Sequence, residues 1–210
     1  MTRNIFLSIL IWLLEIVLVA ALISEQWTRS IQATEERMLL DYFGAEKATE
    51  LRKTAMDGFE ALFVRTGIRD SVYGYFIPTE GERQRSRGFE DVGRYDLFPF
   101  LQGRLDVLFE SLYQMIHRAV VTAAWLPFLG VAVVPFAIDG LVRRKIRQTN
   151  FAYSSPVAHR YSLYVILGIA YLLLVVWTLP VPVPPQSIPI GLFVVACALN
   201  VLLTNTQKRI

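Results

Sequence analysis

Cysteine is almost absent from this chain of 210 residues: Cys197 stands alone, in an apolar run. A single thiol excludes an internal disulfide and a cysteine-based metal site. Histidine is scarce too, with only His117 and His159. No phosphate-cradling Gly-x-x-x-x-Gly-Lys-Ser/Thr run is present, no dinucleotide fingerprint and no metalloprotease His-Glu-x-x-His. Ser154 and Ser155 lie close to His159, but no Gly-x-Ser-x-Gly elbow precedes them, so they do not read as a hydrolase centre. The expectation is a protein without catalytic, cofactor-binding or metal-binding residues, hence not an enzyme.

Charge is missing as well, from four long stretches: residues 5–23, 119–138, 161–179 and 188–203, where Glu15 is the only charged residue. Each is long enough, or nearly so, to cross a hydrocarbon core of roughly 30 Å at about 1.5 Å per residue. With 54% hydrophobic residues and a mean hydropathy of +0.42, the chain reads as a membrane protein. The first run competes with a cleaved signal peptide, since Val19 and Ala21 are small. Its length and the interruption by Glu15 favour an uncleaved anchor.

What is present is charge in blocks. Residues 24–118 hold 13 Lys+Arg and 16 Asp+Glu, a net of −3, whereas the remainder holds 8 and 2, a net of +6. The pI near 9.1 therefore comes from short basic segments rather than from a nucleic-acid-binding face, and direct nucleic-acid binding is not expected. Short segments between spans are basic where they hold Arg3, where they hold Arg143, Arg144, Lys145, Arg147 and Arg160, and where they hold Lys208 and Arg209. The short turn at 180–187, Pro180-Val181-Pro182-Val183-Pro184-Pro185 and onward, holds no charge. The positive-inside rule then places both termini and the basic loop at 139–160 in the cytoplasm, with 24–118 and the Pro turn outside. That topology puts His117 and His159 on opposite sides, which excludes a two-histidine metal site within one chain.

The fold class expected is all-α: four transmembrane helices and a mostly helical outer domain between the first two. Periodicity marks a helix from Glu25 onward, with Gly44 ending a first segment and Leu51, Ala55, Phe59 and Phe63 continuing the apolar face. Pro78 and the glycines from Gly67 to Gly93 read as a long polar loop. Leu101, Leu105, Leu108, Leu112 and Met115 form a stripe on a further helix that runs on into the second span. Pro127 and Pro135 fall inside that span, where neighbouring helices can re-satisfy the freed carbonyls.

Candidate sites are few. Glu15 sits mid-span, where a carboxylate costs about 2.5–3.5 kcal/mol, so it reads as helix-to-helix glue or, less often, as part of a proton or ion path. Asp139 and Arg143 are spaced for an i, i+4 ion pair. Arg143, Arg144, Lys145 and Arg147, with His159 and Arg160 beyond, serve three readings: a topology signal, a contact for anionic lipid headgroups, or a dock for an acidic partner.

One stretch resembles a known family. Val134-Pro135-Phe136-Ala137-Ile138-Asp139-Gly140-Leu141-Val142-Arg143-Arg144-Lys145-Ile146-Arg147, followed by Ser154-Ser155 and His159-Arg160, is similar to uncharacterised membrane proteins of integrating conjugative elements and conjugative plasmids. The layout agrees over the whole chain and departs at Ala158, where the family pattern has an aromatic residue. The resemblance implies an inner-membrane accessory of conjugative DNA transfer, encoded near the coupling ATPase of the type IV secretion machinery. Partners implied are that ATPase or other conjugation proteins; the basic cluster and the outer domain add membrane lipid and a second copy of the chain as expected partners. Alternatives from other classes are a small ion-coupled transporter or channel built on Glu15, and a surface-exclusion or assembly factor.

Overall fold

The computed structural model describes residues 2–77, 97–150 and 153–206, with the side chains of 2–5, 8, 9, 13, 17, 20 and 97 outside that set. The charged run Glu80 to Arg87 and the tail holding Lys208 and Arg209 therefore lie outside the described residues. Everything described is helix, turn or irregular chain, with no strand among these residues. The chain divides into two compact units, Met1–Val120 with Trp177–Val183, and Val121–Val176 with Pro184–Ile210.

The first unit begins with α1 (Thr2–Leu22) and α2 (Glu25–Phe59). Ser24 caps α2, its side chain accepting from the Trp27 N–H at 3.3 Å, which satisfies one orphan donor of the first turn. Within α2, Gly44 takes φ 79, ψ 166, a conformation open at low cost only to glycine. The helix folds back there, so that Arg52 Nη1 reaches Glu36 Oε1 at 2.9 Å although sixteen residues separate them. The Gly44 break was legible in the sequence. A π-helical turn at Glu60–Val64 and a left-handed Gly67 (φ 73) lead into α3 (Ile68–Phe76). Residues 68–76 are thus helical, where the glycine-rich composition points to loop. The segment is one short amphipathic stretch, too brief to show its period beside Gly74.

The next described helix, α4 (Leu97–Ala124), lies against both arms of α2. Phe59, Phe109 and Tyr113 meet edge to face, with Tyr73 of α3 stacked on Phe109 at 5.5 Å between centroids. Leu105, Val107 and Phe109 are the buried apolar residues of this part of α4, with Ile31, Leu39, Leu51 and Ala55 of α2. Burial of such side chains contributes about 25 cal/mol per Å² of apolar surface and is the main force closing this unit.

In the second unit α4 stops at Ala124 and a new helix starts after Trp125: α5 (Leu126–Thr149). A continuous span at 119–138 is therefore corrected. Pro127 has no N–H for the preceding turn and is accommodated instead in the first turn of a fresh helix. Much of the basic segment 139–160 is helical. Helix continues to Thr149 and resumes in α6 (Pro156–Thr178), because cations in the last turns of α5 suit the negative end of its dipole. Ser155 opens α6, its Oγ accepting from the Ala158 N–H at 3.2 Å. Finally α7 (Ser187–Thr204) packs against α5. A Cβ built on Gly140 would fall 2.9 Å from the Asn200 carbonyl oxygen and 3.0 Å from Leu203 Cβ, so only glycine allows this approach. Phe136 and Phe193 add an edge-to-face contact at 5.6 Å.

Among the described residues, three helices are long and apolar enough to cross a membrane: α5, α6 and α7. Four were expected. The expected span at 5–23 coincides with helix α1, but that helix is not one of the three, and half its side chains in the first turns lie outside the described residues.

Candidate functional site

Extended, proline-rich backbone leaves carbonyls that no helix or sheet can satisfy, because each proline lacks an N–H. The segment Trp177–Val183 has this problem, and the first unit solves it with one arginine. Arg118 Nη1 donates to the carbonyls of Leu179 at 2.7 Å and Trp177 at 3.3 Å, and Nη2 donates to Val181 at 2.6 Å. The same guanidinium meets Glu35, Nη2 to Oε1 at 2.6 Å and Nε to Oε1 at 3.0 Å. Glu35 in turn accepts from the Val183 N–H at 2.8 Å and from Gln114 at 3.2 Å. Trp27 Nε1 donates to the Pro180 carbonyl at 2.9 Å. Both charged side chains are only 6% exposed. A buried ion pair is tolerated when its remaining hydrogen-bonding capacity is filled, and here the strap's backbone fills it.

Beside this lock lies a cavity of about 220 Å³ between the arms of α2 and α4, lined by Glu36, Arg52, Tyr113, Gln114 and His117 among others. Burial holds the His117 imidazole below its ordinary value of 6.5, against the opposing pull of Glu35 and Glu36. Its ring stacks on Tyr113 at 6.2 Å. On the far side of α4, burial raises the Tyr73 hydroxyl to about 12, assisted by its hydrogen bond to Asp106, and raises the Glu110 carboxyl despite Arg29.

Neither Glu35 nor Trp27 stood out in the sequence, and Arg118 registered only as the last residue of the charged 24–118 region. The available signal was the strap itself: a proline-rich stretch without charge needs donors from elsewhere, and few buried donors supply several at once.

The second unit brings three of the sequence-identified residues, Asp139, Arg147 and His159, to α7 and its C-terminal cap. Asp139 Oδ2 takes Arg143 Nε at 2.9 Å, the i, i+4 pair that the spacing suggested, and also Asn200 Nδ2 at 2.8 Å. Asn200 donates as well to the Phe136 carbonyl at 2.8 Å. Arg147 Nη1 and the Ser155 N–H both donate to Asn205 Oδ1, at 2.9 and 3.2 Å, so the end of α5 and the start of α6 share one anchor. His159 Nδ1 lies 3.2 Å from the Leu202 carbonyl. Arg160 instead turns to its own helix, Nε donating to the Tyr164 hydroxyl at 2.9 Å. Arg144 and Lys145 have no ion-pair or hydrogen-bond partner among the described residues, and Arg144 Nε is itself shielded from solvent. Glu15 is half-buried in α1, its Oε1 unpartnered among the described residues. Asn200 and Asn205 escaped the sequence reading. For Asn200 the available signal was an amide in the final apolar run, since a polar group there costs free energy unless it is bonded.

No described group has the geometry of nucleophile, base and orienter. The polar side chains hold helix ends and a strap in place, in an all-helical set of described residues with three helices long and apolar enough to cross a membrane. Over residues 8–210 the chain matches the family model for IncC plasmid conjugative DNA transfer protein DtrJ-like, and it belongs to that DtrJ-like family. The resemblance carried by residues 134–160 thus holds for nearly the whole chain, and the protein is one involved in conjugative DNA transfer. No curated protein and no solved structure matches it.

Proposed function

We propose that the protein is a non-enzymatic inner-membrane accessory of a conjugative DNA-transfer apparatus of the type IV secretion kind. It spans the membrane four times, α1 being the first span, with both termini in the cytoplasm and residues 24–118 in the periplasm. The observation that carries this reading is the family match across residues 8–210. The topology is supported by the composition of the first unit, which contains both the 24–118 region and the uncharged strap Trp177–Val183. One inward and one outward crossing, α5 and α6, separate the two in sequence. Cations at the far end of α5 fit the cytoplasmic side. Partners are the coupling ATPase or another component of the machine, recruited by complementary charge on the cytoplasmic side, and sister subunits through the periplasmic unit.

An in-frame deletion, complemented from a second plasmid, tests this. The expected result is a large fall in transfer frequency with nicking of the DNA at the origin unchanged. Unchanged transfer would overturn the proposal.

A further inference from the structure

The second unit carries an uncompensated positive end. From residue 121 onward Asp139 is the one acidic residue, and it is already paired with Arg143 and Asn200. Arg147 is engaged by Asn205 and Arg160 lies over the Tyr164 ring at 5.4 Å. That leaves Arg144 and Lys145 without internal partners among the described residues. They do not sit on a hydrophilic face. Leu141 is 48% exposed, Val142 50% and Ile146 51%, interleaved with the cations on the last turns of a helix apolar enough to span a bilayer. Across the Asn205 anchor, at the start of α6, Tyr161 is 66% exposed and Tyr164 51%.

Cations on aliphatic stems among exposed aliphatic residues, with exposed tyrosines near the start of the following helix, suit the boundary between acyl chains and headgroups. There the apolar residues enter the chains, the tyrosines straddle the interface, and the cations reach for phosphate. We infer that Arg144 and Lys145 form a binding site for the phosphodiester headgroups of anionic phospholipid, with α5, α6 and α7 fixing its level through Asn205. The inference rests on the proposed membrane reading and assigns two residues of the basic cluster to lipid rather than to a protein partner. Asn205 fixes the depth and orientation of the site, and long-range charge supplies the attraction.

The test uses the full chain, purified in detergent and titrated with phosphatidylglycerol or phosphatidylcholine, with bound lipid counted by native mass spectrometry. Phosphatidylglycerol should be preferred, and the preference should fall with added salt. The double variant Arg144→Gln with Lys145→Gln should lose about thirtyfold of that preference, equivalent to about 1 kcal/mol for each charge. Arg160→Gln, a charge already occupied, should lose much less. Equal retention of both lipids by the native chain, or an unchanged preference in the double variant, would overturn the inference. So would a photoreactive residue at Lys145 that captures a protein and no phospholipid in cells. None of these readouts involves DNA transfer, so a failure here is distinct from a failure of the conjugation reading.

Discussion

The two units solve the same problem with different chemistry. Each must fix backbone or helix ends that have no partner of their own kind. In the first, a fully charged pair, Glu35 and Arg118, is buried and its surplus donors hold a proline-rich strap. In the second, neutral amides do the holding: Asn200 bonds Asp139, which stays 49% exposed, and Asn205 bonds Arg147. The difference follows from surroundings. A domain with a wet exterior can assemble an ion pair before burying it, while an amide between apolar helices avoids the insertion cost of a buried ion. One lock is therefore strong and brittle, and the other weak and tolerant.

That contrast can be broken most forcefully at Arg118. Arg118→Met strands a buried carboxylate and three strap carbonyls and should cost about 3–5 kcal/mol, read as a lower melting temperature in detergent and faster proteolysis of residues 24–118. Adding Glu35→Leu should restore part of the loss, since it removes the stranded charge. A smaller effect is expected where the second unit is tightest. Gly140→Ala pushes a Cβ to within 2.9 Å of the Asn200 carbonyl oxygen, an overpacking cost of about 1–3 kcal/mol. Smaller still, Asn200→Leu should cost on the order of 1 kcal/mol, the usual scale for a hydrogen bond between membrane helices. If Asn200→Leu proved as damaging as Arg118→Met, the contrast between the locks would be lost.

The mildest effect is a pH dependence. Because burial holds His117 below 6.5 in the folded state, the unfolded chain binds the proton more readily. The stability that neutral His117 contributes is complete above pH 6.5 and is lost as pH falls below that value. Glu110, raised from 4.5 by burial, has the opposite sign and acts nearer the carboxylate range. Melting temperatures between pH 7.5 and pH 5.5 should therefore decline in the native chain and decline less in His117→Gln. An identical slope in both would remove His117 from the account.

Local signals made much of the fold legible in the sequence. Gly44 announced a helix end because nothing else occupies that region of φ and ψ cheaply, and hydropathy marked α6 and α7 to within a few residues, whereas the expected span at 119–138 missed both ends of α5. The restart at Trp125 was legible in Pro127 but was discounted, since membrane helices often absorb a proline. The locks were not legible, for a physical reason. Arg118 and Glu35 are separated by 83 residues and Asn205 and Arg147 by 58. No periodicity links such pairs, and only the fold brings them together. The residues singled out beforehand, Asp139 to Arg147 with His159, were half of a site whose other half lay at Asn200 in an apolar run and at Asn205 just past its end.

The central claim is the proposed topology, with residues 24–118 in the periplasm and residues 139–160 in the cytoplasm. It is tested most directly by cysteine accessibility. Cys197→Ala removes the native thiol, and single cysteines are then placed at the exposed positions Lys53 in the first unit and Lys145 in the second. A membrane-impermeant maleimide applied to intact spheroplasts should label Lys53→Cys, and should label Lys145→Cys only after permeabilisation. Labelling of both from the same side would contradict the account.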